Sequence, residues 1–468
     1  MKSAMAALFF ITMATSILSL ANYENGKDYC QRIASVRVSE VDGSYLTVPY
    51  DYSDSTKGTT QIYYHFAKKF NPNLPTLIFF SGGPGGASHY QGWKNWDVIS
   101  GLDINVIHFD QRGIACSRPD LESSYKDVSF YSSENTAKDA DEIRKTLNIS
   151  KVTVYGHSYG TAPATIYASL FSAATRSLIL EGVAYSGFDF EQQTDKFRIK
   201  TIQKYFDSLP VQVRERWIRL VDQRKASEIW FPYMITELMS RGGLMAVPGF
   251  IQNFITTLGL QEDDAVLTAL GIKKQTSVIV TKGESGPNGS LAPAVLPVDN
   301  NVNAILFCKE FGASVAGSIL ILKSGQVQPM MAGTQVYNSY ASAQCPEVGL
   351  AKAGPSTFIA KNYPVSAPVY YMQGTLDAAT PPRGSVYHYK NVPQNKAYLL
   401  FFKKFGHGPS SIALVMGAYN DESPFKEYSA VALSLFQKAI NAEPWTKENV
   451  SGLNKYDYKV AFTSKEKN

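Results

Sequence analysis

Between Thr76 and Leu180 the chain carries four short, uninterrupted apolar runs, Thr76–Phe80, Ile104–Phe109, Val152–Tyr155 and Ser177–Leu180, each leading into a glycine-rich or polar turn. Runs of this kind suit strands buried on both faces of a parallel sheet. Between them, Thr136–Leu147 places Ala137, Ala140, Ile143 and Leu147 at helical spacing, and Thr161–Phe171 is small and apolar throughout, so both predict helices packed on that sheet. Upstream, Arg32 to Ala67 alternates, with Val36, Val38 and Val41, then Tyr45, Leu46, Val48 and Tyr50, then Ile62, Tyr63, Tyr64 and Phe66. This predicts two or three antiparallel strands with Asp42-Gly43 as a turn.

The strand and helix alternation stops near Tyr185 and resumes near Pro364. In between, Thr194–Leu209, Val211–Arg224 and Ala226–Met239 read as helices and Gly283–Pro297 as a loop. Strand texture returns with Val369–Met372 and Ala397–Phe402, and Ala430–Ile440 reads as a closing amphipathic helix. The pattern predicts an α/β fold, a doubly wound and mostly parallel sheet with helices on both faces. Its two parts, 22–185 and 364–468, flank a largely helical cap insertion over 186–363.

With 468 residues, 44% of them hydrophobic and 18% charged, the chain has the composition of a folded protein with a large core, which excludes a disordered or collagen-like chain. A net charge of +5 without any basic stripe argues against nucleic acid as a partner. Met1–Ala21 has one positive residue, Lys2, an uncharged apolar run and a small-x-small ending, Ser19-Leu20-Ala21, the pattern of a signal peptide cleaved after Ala21. The expected product is secreted or periplasmic, with no stable membrane association after cleavage. Of the four cysteines, Cys308 and Cys345 are the favoured disulfide, closing a loop worth roughly 4 kcal/mol in the chain-entropy model. Cys30 and Cys116 pair or remain buried thiols. No Cys/His cluster exists, so neither metal nor cofactor is expected.

Gly156-His157-Ser158-Tyr159-Gly160 is a G-x-S-x-G between a predicted strand and a predicted helix, the setting in which such a serine is thrust out from the sheet as a nucleophile. A serine hydroxyl needs a base, and the base needs an acid. His407, in Phe405-Gly406-His407-Gly408-Pro409, and Asp377, in Gly374-Thr375-Leu376-Asp377, each follow a predicted strand, and ligands bind at that end of such sheets. Ser158, Asp377 and His407 are thus the expected catalytic residues. Asp110 is the best alternative acid, but it precedes the nucleophile and is kept as a structural loop residue. Ser81-Gly82-Gly83-Pro84-Gly85-Gly86 is the loop expected to bring one oxyanion donor, with the amide of Tyr159 as the other.

Taken together, Gly82-Gly83-Pro84-Gly85, Asp110-Gln111-Arg112-Gly113 with Ser117 downstream, and the G-x-S-x-G resemble the proline iminopeptidase and tripeptidyl aminopeptidase family of serine peptidases, in the α/β-hydrolase superfamily. The resemblance implies an α/β-hydrolase fold with a helical cap, and release of an N-terminal proline, another residue or a short peptide. It also implies Ser158, Asp377 and His407 as the triad and Gly83 and Tyr159 as the oxyanion hole. Ser81 stands where the family loop often has histidine, Ala115 where it often has a second glycine, and no Trp-x-x-Trp-Glu occurs. The leader, the length and the cysteine pair in the insertion are more similar to the secreted tripeptidyl branch.

A peptide substrate with a free N-terminus brings an ammonium group that needs a carboxylate once buried. Position alone nominates Glu181, at the end of Ser177–Leu180, and Glu310, two residues past Cys308, as substrate-binding residues. The alternative class is an esterase or lipase-type hydrolase using the same triad without such a carboxylate. A non-catalytic hydrolase-like binding protein is a third, against which the intact triad argues.

Overall fold

The computed structural model describes residues 23–36, 43–88, 99, 102–184, 207, 211, 299–311, 345–346, 348–350, 357–377, 380–403, 405–410, 413–414, 423–455 and 459–466. Nine strands form one sheet: β1 (Gly43–Pro49), β2 (Thr59–Phe66), β3 (Thr76–Phe80), β4 (Asn105–Phe109), β5 (Val152–His157), β6 (Thr175–Glu181), β7 (Val369–Gly374), β8 (Lys396–Phe402) and β9 (Val460–Glu466). Their order is β1-β2-β4-β3-β5-β6-β7-β8-β9. The six strands from β4 through β8 run parallel, whereas β1, β2 and β9 pair antiparallel at the two sides. The parallel strands β3, β4, β5 and β7 are buried at every position, which is why they read as largely apolar runs in the sequence.

Helices cover both faces. On one, α2 (Ser133–Thr146) and α3 (Thr161–Leu170) bring Ala137, Ala140, Ile143, Ala162 and Ile166 onto Ile78, Phe80, Val154 and Leu180. On the other, α6 (Ser423–Ile440) packs Leu435, Phe436, Ala439 and Ile440 with Phe79, Tyr155 and Ile179. Three further helices are α1 (Gly26–Val36), α4 (Asn300–Glu310) and α5 (Pro382–Asn391).

Two expectations are corrected. Gly26–Val36 is helical, so Val36 closes a helix instead of opening a strand, and Gly43 begins β1 instead of forming a turn. Tyr29, Ile33 and Val36 lie at helical spacing, and the Cys30–Cys116 disulfide pins the helix beside the turn after β4. The second disulfide joins Cys308 to Cys345, as spacing favoured. The segment 1–22, the three helices expected across Thr194–Met239 (Asp207 and Val211 apart) and the loop Gly283–Pro297 lie outside the described residues. Among the described residues no helix is long and apolar enough to cross a membrane.

Candidate active site

Strand β5 ends at His157, and the backbone turns sharply at Ser158, whose φ is +56°, before α3 begins at Thr161. A non-glycine residue in the left-handed region is costly unless its surroundings hold it there. Here they do: a side chain at Gly160 would put its Cβ 2.1 Å from the Phe80 carbonyl oxygen, so the turn closes only with glycine at that place. Ser158 is thereby left partly exposed between buried His157 and buried Tyr159.

The strands that carry the other two candidates run parallel to β5, so their C-terminal ends lie on the same edge of the sheet. Asp377 follows β7 and is fully buried. Its Oδ1 accepts from the Thr380 amide at 2.8 Å, and its Oδ2 accepts from Thr380 Oγ1 at 2.7 Å and Gln373 Nε2 at 3.0 Å. His407 follows β8 and places Nδ1 2.9 Å from Asp377 Oδ2. With the Nδ1 proton donated to the carboxylate, Nε2 is the nitrogen left to accept a proton. The imidazole ring is 4.7 Å, centroid to centroid, from that of His157, the residue before the serine. The turn after β6 touches the same ring, since a Cβ on Gly182 would lie 2.9 Å from His407 Cε1.

The glycine-rich loop after β3 lies against the serine. A Cβ on Gly82 would come 2.8 Å from Ser158 Cβ. The loop closes on itself through Ser81 Oγ donating to Gly86 O at 2.7 Å and Gly86 N donating to Gly82 O at 3.1 Å. Gln111 steadies it by donating Nε2 to Ser81 O at 2.9 Å. The next residue, Arg112, forms a buried two-point ion pair with Asp139 at 2.6 and 2.7 Å and also donates to Tyr50 O and Pro49 O. The Asp-Gln-Arg-Gly segment thus ties the loop, the β1–β2 hairpin and α2 together. Asp110 accepts from the amides of Ser88 and Cys116, a structural role.

The two glutamates nominated for substrate are placed differently from expectation. Glu181 is not at an open rim: it is fully buried, its Oε1 accepts from the Ser410 amide at 2.6 Å and its Oε2 from Tyr155 Oη. Burial pushes its carboxyl above the ordinary range, and the bonds from Tyr155 and Ser410 pull it back only in part. Glu310 is also buried, and its carboxylate accepts from Ser133 N at 2.7 Å and Ser133 Oγ at 2.5 Å. Both carboxylates serve internal donors. Thr380 and Gln373, which cradle Asp377, and Ser410, through which Glu181 anchors the histidine loop, were not singled out from sequence. Asp377-Ala378-Ala379-Thr380 carries a readable hint, because an Asp followed three residues on by Thr before Pro-Pro is a turn and cap signal. Glu310 with Ser133 carries none, the two being 177 residues apart.

A model of the alpha/beta hydrolase fold matches residues 75–410, well over half of the chain. The chain belongs to that family. Two curated relatives are proline iminopeptidases. The one from Saccharolobus solfataricus is 36% identical over 159 residues, covering 32% of this chain and 47% of the relative. The one from Neisseria meningitidis is 32% identical over 125 residues, covering 26% and 36%. The chain therefore spans less than half the length of these relatives. A solved structure, a proline iminopeptidase from Mycobacterium smegmatis, aligns with a TM-score of 0.39 at 15% identity over 86% of this chain and 100% of its own.

Proposed function

We propose that this alpha/beta hydrolase is an exported serine aminopeptidase that cleaves peptide bonds near a free N-terminus through an acyl-enzyme on Ser158. The observation that carries the reading is the Asp377–His407 pair, at 2.9 Å, on the sheet edge where the elbow presents Ser158. In this reading His407 Nε2 takes the proton of Ser158 Oγ as it attacks the carbonyl carbon, and Asp377 holds the ring and stabilises its charged form. The amides of Gly83 and Tyr159 receive the oxyanion, each worth about 3 to 4 kcal/mol in the transition state. His407 then protonates the leaving amine, and water, activated by the same nitrogen, releases the acyl group.

The peptidase assignment rests on the relatives and on the loop, Asp-Gln-Arg-Gly and elbow motifs. Export rests on the leader at Met1–Ala21 and agrees with two disulfides. Segments 22–185 and 364–468 form the hydrolase domain around a cap over 186–363. Because Glu181 and Glu310 are committed internally, an aminopeptidase needs a different carboxylate for the substrate ammonium group. The test is a panel of proline, alanine and tripeptide substrates on one leaving group, each free and N-acetylated, with Ser158→Ala as control. Cleavage of the free forms alone supports the proposal. Equal cleavage of acetylated forms, or of simple esters only, replaces it with the esterase reading.

A further inference from the structure

Helix α4 lies in the insertion, more than 130 residues from the elbow in sequence, yet it meets the candidate oxyanion hole at both of its ends. At its start, Asp299 N donates to Gly85 O at 2.9 Å and Asn303 Nδ2 to Pro84 O at 2.8 Å, so the helix holds the two carbonyls directly after Gly83. Asp299 is itself anchored, accepting from Tyr125 Oη at 2.6 Å and Arg118 at 3.0 Å and capping the helix at Val302 N. At its end, Glu310 accepts from Ser133 N and Oγ, and Ser133 Oγ lies 2.9 Å from Tyr159 Oη. With Ser133 Oγ donating to Glu310, its remaining position accepts from Tyr159, so the bonds run Tyr159 to Ser133 to Glu310. The Tyr159 side chain, 2% exposed, also packs in one apolar cluster with Val302, Ile305 and Leu306 of the same helix.

One rigid element, about 16 Å long at 1.5 Å per residue, thus connects the loop that carries one donor to the side chain of the residue that carries the other. An oxyanion hole works only when both donors sit about 2.7 to 3.1 Å from the developing charge, so whatever sets their separation sets the rate. We propose that α4 is a brace that sets the spacing of the two oxyanion donors, with Asn303 and Glu310 as positioning residues at its two ends. This rests on the serine-hydrolase reading above. It makes the insertion a determinant of turnover as well as a cover for the substrate.

The full chain is first labelled with a fluorophosphonate, with Ser158→Ala as control. An unlabelled parent overturns the serine-hydrolase reading and the brace with it, whereas labelling isolates the test of the brace. Asn303→Leu, Tyr159→Phe and Ser133→Ala are then compared with Ser133→Thr. The near-isosteric first pair removes one hydrogen bond each and leaves the volume almost unchanged, which guards against variants that fail to fold. The brace predicts that each of the first three lowers kcat and the phosphonylation rate about 10- to 100-fold with KM within threefold of the parent. Ser133→Thr, which keeps the hydroxyl, recovers most of the loss. Asn303→Leu combined with Tyr159→Phe loses less than the product of the single effects, because both act on one hole. Values of kcat within twofold of the parent for all three overturn the proposal, and so does a rise in KM at constant kcat, which would make α4 a wall of the substrate pocket only.

Discussion

The two halves of the candidate site are held in contrasting ways. On the acid–base side, Asp377 is bound by Thr380 and Gln373, within four residues of it, and His407 meets it across neighbouring parallel strands. On the candidate oxyanion side, the loop Ser81–Gly86 is held by nearby Gln111 and by the distant Asp299 and Asn303, and Tyr159 is tied through Ser133 to Glu310, itself 177 residues from Ser133. The first half is a local product of strand ends and tight turns. The second depends on contacts with α4. In the proposed mechanism, proton transfer would therefore be insensitive to changes around α4, whereas charge stabilisation would be open to adjustment by them.

Substitutions on the acid–base side should have the largest effects. Ser158→Ala should leave only background turnover, and Asp377→Asn, which reverses the preferred imidazole tautomer, should lower kcat about 10⁴-fold with the fold intact. Steady-state kinetics on the preferred substrate checks both, and a loss below about tenfold for Asp377→Asn would remove it from the acid role. Next comes the joint between the halves and the rest of the domain. Asp139→Asn leaves Arg112 buried without its countercharge and should cost about 3 to 5 kcal/mol of stability, read by urea denaturation. A loss under 1 kcal/mol would show that the Asp-Gln-Arg-Gly segment does not depend on this pair. Thr380→Val removes the hydroxyl bond to Asp377 Oδ2 and the hydroxyl contact with His407 Nδ1 while the amide bond to Asp377 persists, and should lower kcat about tenfold with KM unchanged. If KM moves instead, Thr380 faces substrate more than the acid.

The smallest expected effect is on stability as a function of pH. Burial raises the carboxyls of Glu181 and Glu310 above their ordinary 4.5. A group whose folded value exceeds its unfolded one contributes stability that is complete below the unfolded value and is lost as pH rises through the folded value. Melting temperatures of the parent should therefore fall relative to Glu181→Gln as pH is raised from 4.5. Parallel profiles would mean that Glu181 does not titrate differently in the folded and unfolded states.

Much of this architecture is legible in the sequence for a physical reason. Strands buried on both faces are mostly apolar, so β3, β4, β5 and β7 stand out despite Asn105, His108, Thr153 and Gln373, and the turns at their ends concentrate glycine and chemistry. The roles proposed for Gly83, Tyr159, Ser158, Asp377 and His407 rest on motifs of a few neighbouring residues each, which the sequence displays directly. The surroundings of Glu181 and Glu310 are not displayed in this way, because the direction of a buried carboxylate is decided by Tyr155 on the neighbouring strand and distant Ser410 for one and by distant Ser133 for the other. The helix Gly26–Val36 misleads in a different way: its valine belongs equally to an alternating and a helical pattern, and a disulfide to Cys116 accompanies the helical outcome. Strand β9 escapes notice because Val460–Glu466 mixes Lys, Ser, Thr and Glu with few apolar residues, as suits an outer strand.

That outer strand has one further effect. By pairing along the whole of β8, from Lys396 with Glu466 to Phe402 with Val460, it occupies the hydrogen-bonding groups of the strand that leads to His407. A chain cut at Lys459 would present β8 as a bare template to any extended segment nearby, so loss of this short strand would open a route for copies of the protein to pair edge to edge.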